Sequence, residues 1–164
     1  SAASDVYKRQ LLQGCGKKKD GTQRIKGTNT CHWIPRSKVP RGKKVTYART
    51  VVDIRPEKDE PNRFRITAGT DRLEYYGETS TETASIETAK ILLNSVLSTK
   101  NAKFMSIDIS NFFIQTDLKD YQYIRFHINM IPQEIIDEYN LKLIVEPDGW
   151  CYAEIRKAMY GLKE

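Results

Sequence analysis

The chain has 164 residues, 39% of them hydrophobic, and a net charge of +6. That length supports one medium domain with a real core; no apolar run approaches the ~18 residues of a membrane helix, and the N-terminus lacks the apolar stretch of a signal peptide. Three scattered cysteines, Cys15, Cys31 and Cys151, make neither a disulfide framework nor a zinc-finger spacing, which fits a reduced intracellular protein.

The charge is unevenly placed. Residues 1–44 carry twelve Lys or Arg against two Asp, a balance of +10, whereas residues 45–164 sum to −4. A basic arm on a mildly acidic domain points to contact with phosphates, or else to a solvated tail. Within residues 1–10, Asp5-Val6-Tyr7-Lys8-Arg9-Gln10 looks like the translated mosaic-end tag of a transposase-based sequencing library, a scar outside the fold. Residues 11–44 read as a basic extended arm. Its 14–30 stretch is rich in Gly, Lys and Thr without a period and reads as loop or linker. Its 31–44 stretch adds Pro35, Pro40 and Gly42, with Trp33 and Ile34 as surface anchors. Gly14-x-Gly16-Lys17 lacks the spacing and the preceding strand of a phosphate loop. Cys31-His32 has no second ligand pair to complete a metal site.

From residue 45 the pattern becomes that of a folded domain. Thr46–Arg55 alternates and is β-branched, as a strand does, and Arg63–Ala68 reads as its return strand after a charged turn. Arg63, Arg65 and Thr67 share one face of that strand. Such a face is either solvated or a pair of cations over a phosphate channel. Residues 70–82 read as a loop. Over Thr83–Thr99, Ile86, Ala89, Leu93 and Val96 recur at helical spacing, which predicts a helix with a core-facing stripe capped near Thr79 or Thr83. Phe104–Ile109 reads as a short strand ending in a carboxylate, with Met105, Ile107 and Ile109 on one face and Phe104, Ser106 and Asp108 on the other. Tyr123–Ile128 predicts another strand and Pro132–Tyr139 a short helix. Leu141–Val145 and Trp150–Ile155 predict a hairpin around Pro147-Asp148-Gly149. The expected class is α+β.

Two runs carry the functional reading: Ile107-Asp108-Ile109-Ser110-Asn111-Phe112-Phe113 and Arg156-Lys157-Ala158-Met159-Tyr160-Gly161-Leu162-Lys163. Together with Arg24-Ile25-Lys26-Gly27 and Lys44-Val45-Thr46-Tyr47-Ala48 upstream, they occur in the order found in reverse transcriptases of copia-type (pseudovirus) LTR retrotransposons, and the chain resembles that family from about Leu11 onward. The resemblance implies a partial right-hand polymerase, the fingers hairpin plus the N-terminal part of the palm. It implies RNA-directed DNA synthesis from deoxynucleoside triphosphates on an RNA or DNA template-primer. Such a protein is part of a larger Pol polyprotein in the cytoplasm or a virus-like particle, with no membrane partner.

The residue roles follow from the same likeness. Two magnesium ions serve nucleotidyl transfer. Asp108 would bridge them and the Ile109 carbonyl would ligate one. The Asn111 amide would meet the triphosphate, with Arg65, and less firmly Arg63, as its cationic clamp. Phe113 would be the gate that excludes a 2′-hydroxyl, against an alternative of simple core packing, which is the expectation for Phe112. Tyr160, Gly161 and Lys163 would face the template and the nascent base pair. The family completes its metal site with Tyr-x-Asp-Asp, yet the chain contains no adjacent Asp-Asp pair and ends at Glu164, inside the family motif that the second run begins. The expectation is therefore a fragment truncated before the second catalytic motif and inactive alone. The rival readings are a noncatalytic nucleic-acid-binding module and a decayed element relic.

Overall fold

In a computed structural model the described residues are 11–54, 56–57, 62–69, 71, 84–105, 107 and 112–162. They form seven strands: β1 Gly14–Lys17, β2 Gln23–Lys26, β3 Cys31–Ile34, β4 Val45–Ile54, β5 Asn62–Ala68, β6 Asp117–His127 and β7 Trp150–Lys157. Three helices join them, α1 Ile86–Ser98, α2 Phe112–Gln115 and α3 Gln133–Glu138. The class is α+β and sheet-dominated.

Five strands make one sheet in the order β3-β7-β6-β4-β5, while β1 and β2 pair separately. The β4/β5 hairpin is the expected one, antiparallel from Ala48↔Ala68 to Ile54↔Asn62. β4 also runs parallel to β6 through Val45↔Tyr123 and Tyr47↔Arg125. Register decides which face is buried. Ile124 lies opposite Ala153 and Phe126 opposite Cys151, and Trp33 and Cys31 join that face through Ala153 and Ile155. Because side chains alternate, Thr46 and Ile66 fall on it too. This face is the core, closed by Leu11, Leu12, Cys15, Ile135 and Leu141, all nearly inaccessible. Trp33 meets Phe126 edge-on at 5.3 Å, a favourable quadrupole geometry. The opposite face carries Tyr47, Arg125 and, by the same alternation, Arg65.

The 14–30 stretch, expected as a loop, is instead a hairpin docked on α3. Tyr139 donates its hydroxyl to Gly14 O at 2.6 Å, and the Gly16 amide donates to Glu138 at 2.9 Å. Arg24 pairs with Glu134. Likewise 31–34 is an edge strand, not an arm, and the Gln13 side-chain Nε2 donates to Cys31 O at 2.8 Å. Backbone pairing over long range holds these segments, so no side-chain period announces them.

Three further expectations need correction. Helix α1 forms, with Ser85 accepting from the Thr88 amide as its N-cap. Yet none of its residues is buried, and Leu97 is 86% exposed; its stripe is not core. Residues 102–105 adopt no strand, and Phe104, Met105 and Ile107 are all exposed. Leu141–Leu143 is a 3₁₀ turn, so β7 pairs with β6 and β3 and not with 141–145. The turn before β7 is present, with Gly149 at φ +83° and its amide donating to Glu146 O at 2.9 Å. Among the described residues, no helix is long and apolar enough to cross a membrane.

Candidate functional site

Strand β7 leads out of the sheet into the second sequence run. Its end is anchored by Ala158 and Met159, which are 3% and 0% exposed, and by the Ala158 amide donating to Thr116 O at 2.7 Å. The chain then turns at Gly161, with the Leu162 amide returning to Met159 O at 3.0 Å. This turn seats Tyr160 against the end of β5. The Ala68 amide donates to Tyr160 O at 2.8 Å. The Arg65 guanidinium lies over the Tyr160 ring, 4.6 Å from its centroid.

Gly161 has φ +94°, a conformation L side chains rarely adopt. A Cβ there would overlap the Ala68 carbonyl oxygen and stand 3.0 Å from its nitrogen. The backbone at this glycine makes its close approach to β5. Gly69, next along, is equally confined: its amide donates to Tyr47 O at 3.0 Å, and a Cβ would reach within 2.8 Å of the Tyr47 ring.

Arg24, Lys43 and Arg156 are each matched by a carboxylate, Glu134, Asp120 and Glu154 respectively. Arg65 has no carboxylate partner among the described residues, and its Nε is buried without any hydrogen-bond partner. Buried donors are normally satisfied, so this one is poised for an acceptor that is not part of the described protein. The Tyr160 ring lies against the guanidinium, and the forked N–H donors of a guanidinium match phosphate oxygens.

Of the residues expected to act together, Arg65, Tyr160 and Gly161 are adjacent. Arg63 lies in β5 opposite Asp53, and Phe113 lies in the backbone of α2; their side chains are outside the described part, as is that of Phe112. Asp108, Ile109, Asn111 and Lys163 lie outside the described residues altogether. Among the residues described, no group of three His, Cys, Asp or Glu is placed to hold a metal.

Two further groups carry no motif that marks them. Ala68 donates its amide to Tyr160 O and lies against Gly161, a contact that no motif marks. Arg125 also has a buried Nε without a partner, with its guanidinium 4.3 Å from the Trp150 ring centroid; its place in an alternating strand was its only signal. Burial, and then the charge of Arg156, holds the His32 imidazole below its ordinary value. Burial pushes the free thiols of Cys15, Cys31 and Cys151 up to about 11, 12 and 11, with Glu134 and Glu138 adding to the effect at Cys15. No protein-family model, curated protein or solved structure matches the chain.

Proposed function

We propose that this chain is the fingers and upper-palm portion of an RNA-directed DNA polymerase of the copia-type retrotransposon kind. The observation that carries the reading is the joining of Arg65 to the Tyr160-Gly161 turn across 95 positions of sequence, with a buried, unpartnered Arg65 Nε beside an aromatic ring. A polymerase pocket needs a cation for the triphosphate next to a surface for the nascent base pair. Arg65 supplies the first and Tyr160 the second.

In this reading Arg65 binds phosphate oxygens and orients the nucleotide. Phe113 excludes the 2′-hydroxyl, and Lys163 and the Gly161 turn contact the template side. Asp108 and the Ile109 carbonyl would hold the magnesium ions, which would supply charge neutralisation at the phosphates and a more acidic 3′-hydroxyl. One carboxylate does not complete a two-metal site, so the activity belongs to a longer polypeptide that brings a second carboxylate cluster.

The test is primer extension with magnesium by a fusion of this chain to a segment bearing Tyr-x-Asp-Asp. Extension that falls when Arg65→Ala raises KM for nucleotide supports the reading. Template binding without extension in any fusion favours a noncatalytic nucleic-acid-binding module. Neither binding nor extension favours a decayed relic.

A further inference from the structure

A second cationic site lies on the face of the sheet opposite the core, away from the Arg65–Tyr160 pair. A groove there is lined by Arg36, Val39, Val45, Arg125 and Tyr152. Arg36 sits over the Tyr152 ring at 5.8 Å and Arg125 over the Trp150 ring at 4.3 Å. Among the described residues no carboxylate lines the groove, and neither guanidinium has a carboxylate partner. Arg125 Nε is a buried donor with no acceptor. The segment 36–44 that flanks the groove holds five Lys or Arg and no Asp or Glu.

Register separates this groove from Arg65. Arg125 lies opposite Tyr47, and Arg65 lies opposite Val51 on the far side of β4. On a flat sheet that offset amounts to roughly 16 Å from the usual strand rise and spacing, too far for one phosphate group to bridge.

We propose that the Arg36–Arg125 groove binds the phosphodiester backbone of a single nucleic-acid strand. Stacked guanidiniums present forked N–H donors at fixed angles, the match for phosphate oxygens. The aromatic floor and the two valines give sugars and bases an apolar surface. The flanking cations raise the local concentration of a polyanion. This deepens the polymerase reading and rests on it for the identity of the polyanion.

The test is fluorescence anisotropy of the 164-residue chain with a labelled oligothymidylate of about twenty nucleotides, a length that exceeds the usual single-strand site size. Affinity is measured across salt concentrations for wild type, Arg36→Gln, Arg125→Lys and the Arg36→Gln/Arg125→Gln pair. The pair should weaken binding about tenfold or more and make the log–log salt slope shallower by about 1.4, since each single-strand phosphate contact contributes about 0.7. Arg36→Gln alone, an exposed position unable to unfold the sheet, should remove about half of that slope. Arg125→Lys should keep the slope and lose affinity, because it keeps charge without the fork. An unchanged slope in the pair overturns the proposal. So does the absence of oligonucleotide binding, or a preference for duplex that survives both substitutions. Primer extension reports separately: a fusion that extends primers while the pair binds normally loses this site and keeps the polymerase reading. Slope-dependent binding without extension keeps the site and loses the polymerase.

Discussion

Gly161→Ala tests the junction on which the functional reading stands, and Gly42→Ala is its control. Both glycines have positive φ, +94° and +86°, so both substitutions carry the left-handed penalty of about 1–2 kcal/mol. They differ in surroundings. A Cβ at Gly42 meets nothing within 4 Å, whereas one at Gly161 overlaps the Ala68 carbonyl. Relief at Gly161 requires the turn to back away from β5. That breaks the Ala68–Tyr160 hydrogen bond, a loss of about 1 kcal/mol, and unstacks Arg65 from Tyr160, about 0.5–1 kcal/mol more. Gly161→Ala should therefore destabilise by about 2 kcal/mol beyond Gly42→Ala, displacing the urea midpoint by about 1 M further at an ordinary m-value for a domain of this size. Urea unfolding followed by tryptophan fluorescence measures the difference. Equal midpoints for the two variants would refute the reasoning, because the approach of Gly161 to β5 would then hold nothing together.

Three other outcomes follow from the packing. His32 is held neutral by burial and by Arg156; a depressed folded value means its contribution is present above about pH 6.5 and is lost as pH falls below that. The urea midpoint should drop between pH 7.5 and 5, and His32→Gln should flatten the drop; an unchanged slope in the variant contradicts it. The three buried thiols, with values near 11 to 12, should resist a thiol-specific chromogenic reagent in the native protein and react on unfolding; fast labelling of any of them counts against the burial. Leu97→Lys on the exposed α1 should change stability by less than about 0.5 kcal/mol, where a core leucine would cost about 2–5; a large loss in thermal unfolding would return that stripe to a core.

What the sequence disclosed depended on where each interaction lies. The β4/β5 hairpin was legible because alternation and a nearby turn set its register. Helix α3 was legible from Pro132 and its apolar pair Ile135 and Ile136. Helix α1 was legible as a helix, but periodicity reports a face and not what covers it, and Ile91, Leu92, Leu93 and Leu97 stand exposed. The β1/β2 hairpin and β3 were missed because Gly14 and Gly16 contribute no side-chain pattern, and Cys31 finds Ile155 across 124 positions. Proximity in sequence wrongly suggested that Leu141–Val145 pairs with β7, when β6 offers the longer ladder. At the site, the motifs named Arg65, Tyr160 and Gly161 individually. Their meeting through Ala68, and the groove of Arg36 and Arg125, arise from sheet order, which no local pattern encodes.

The most direct test of the central claim is Asp108→Asn in the polymerase fusion, assayed by magnesium-dependent primer extension. The substitution keeps size and removes the charge that would hold the ions. The account predicts that kcat falls by orders of magnitude while the unfolding free energy stays within about 0.5 kcal/mol of the parent. Extension at the parental rate by the Asp108→Asn fusion would contradict it.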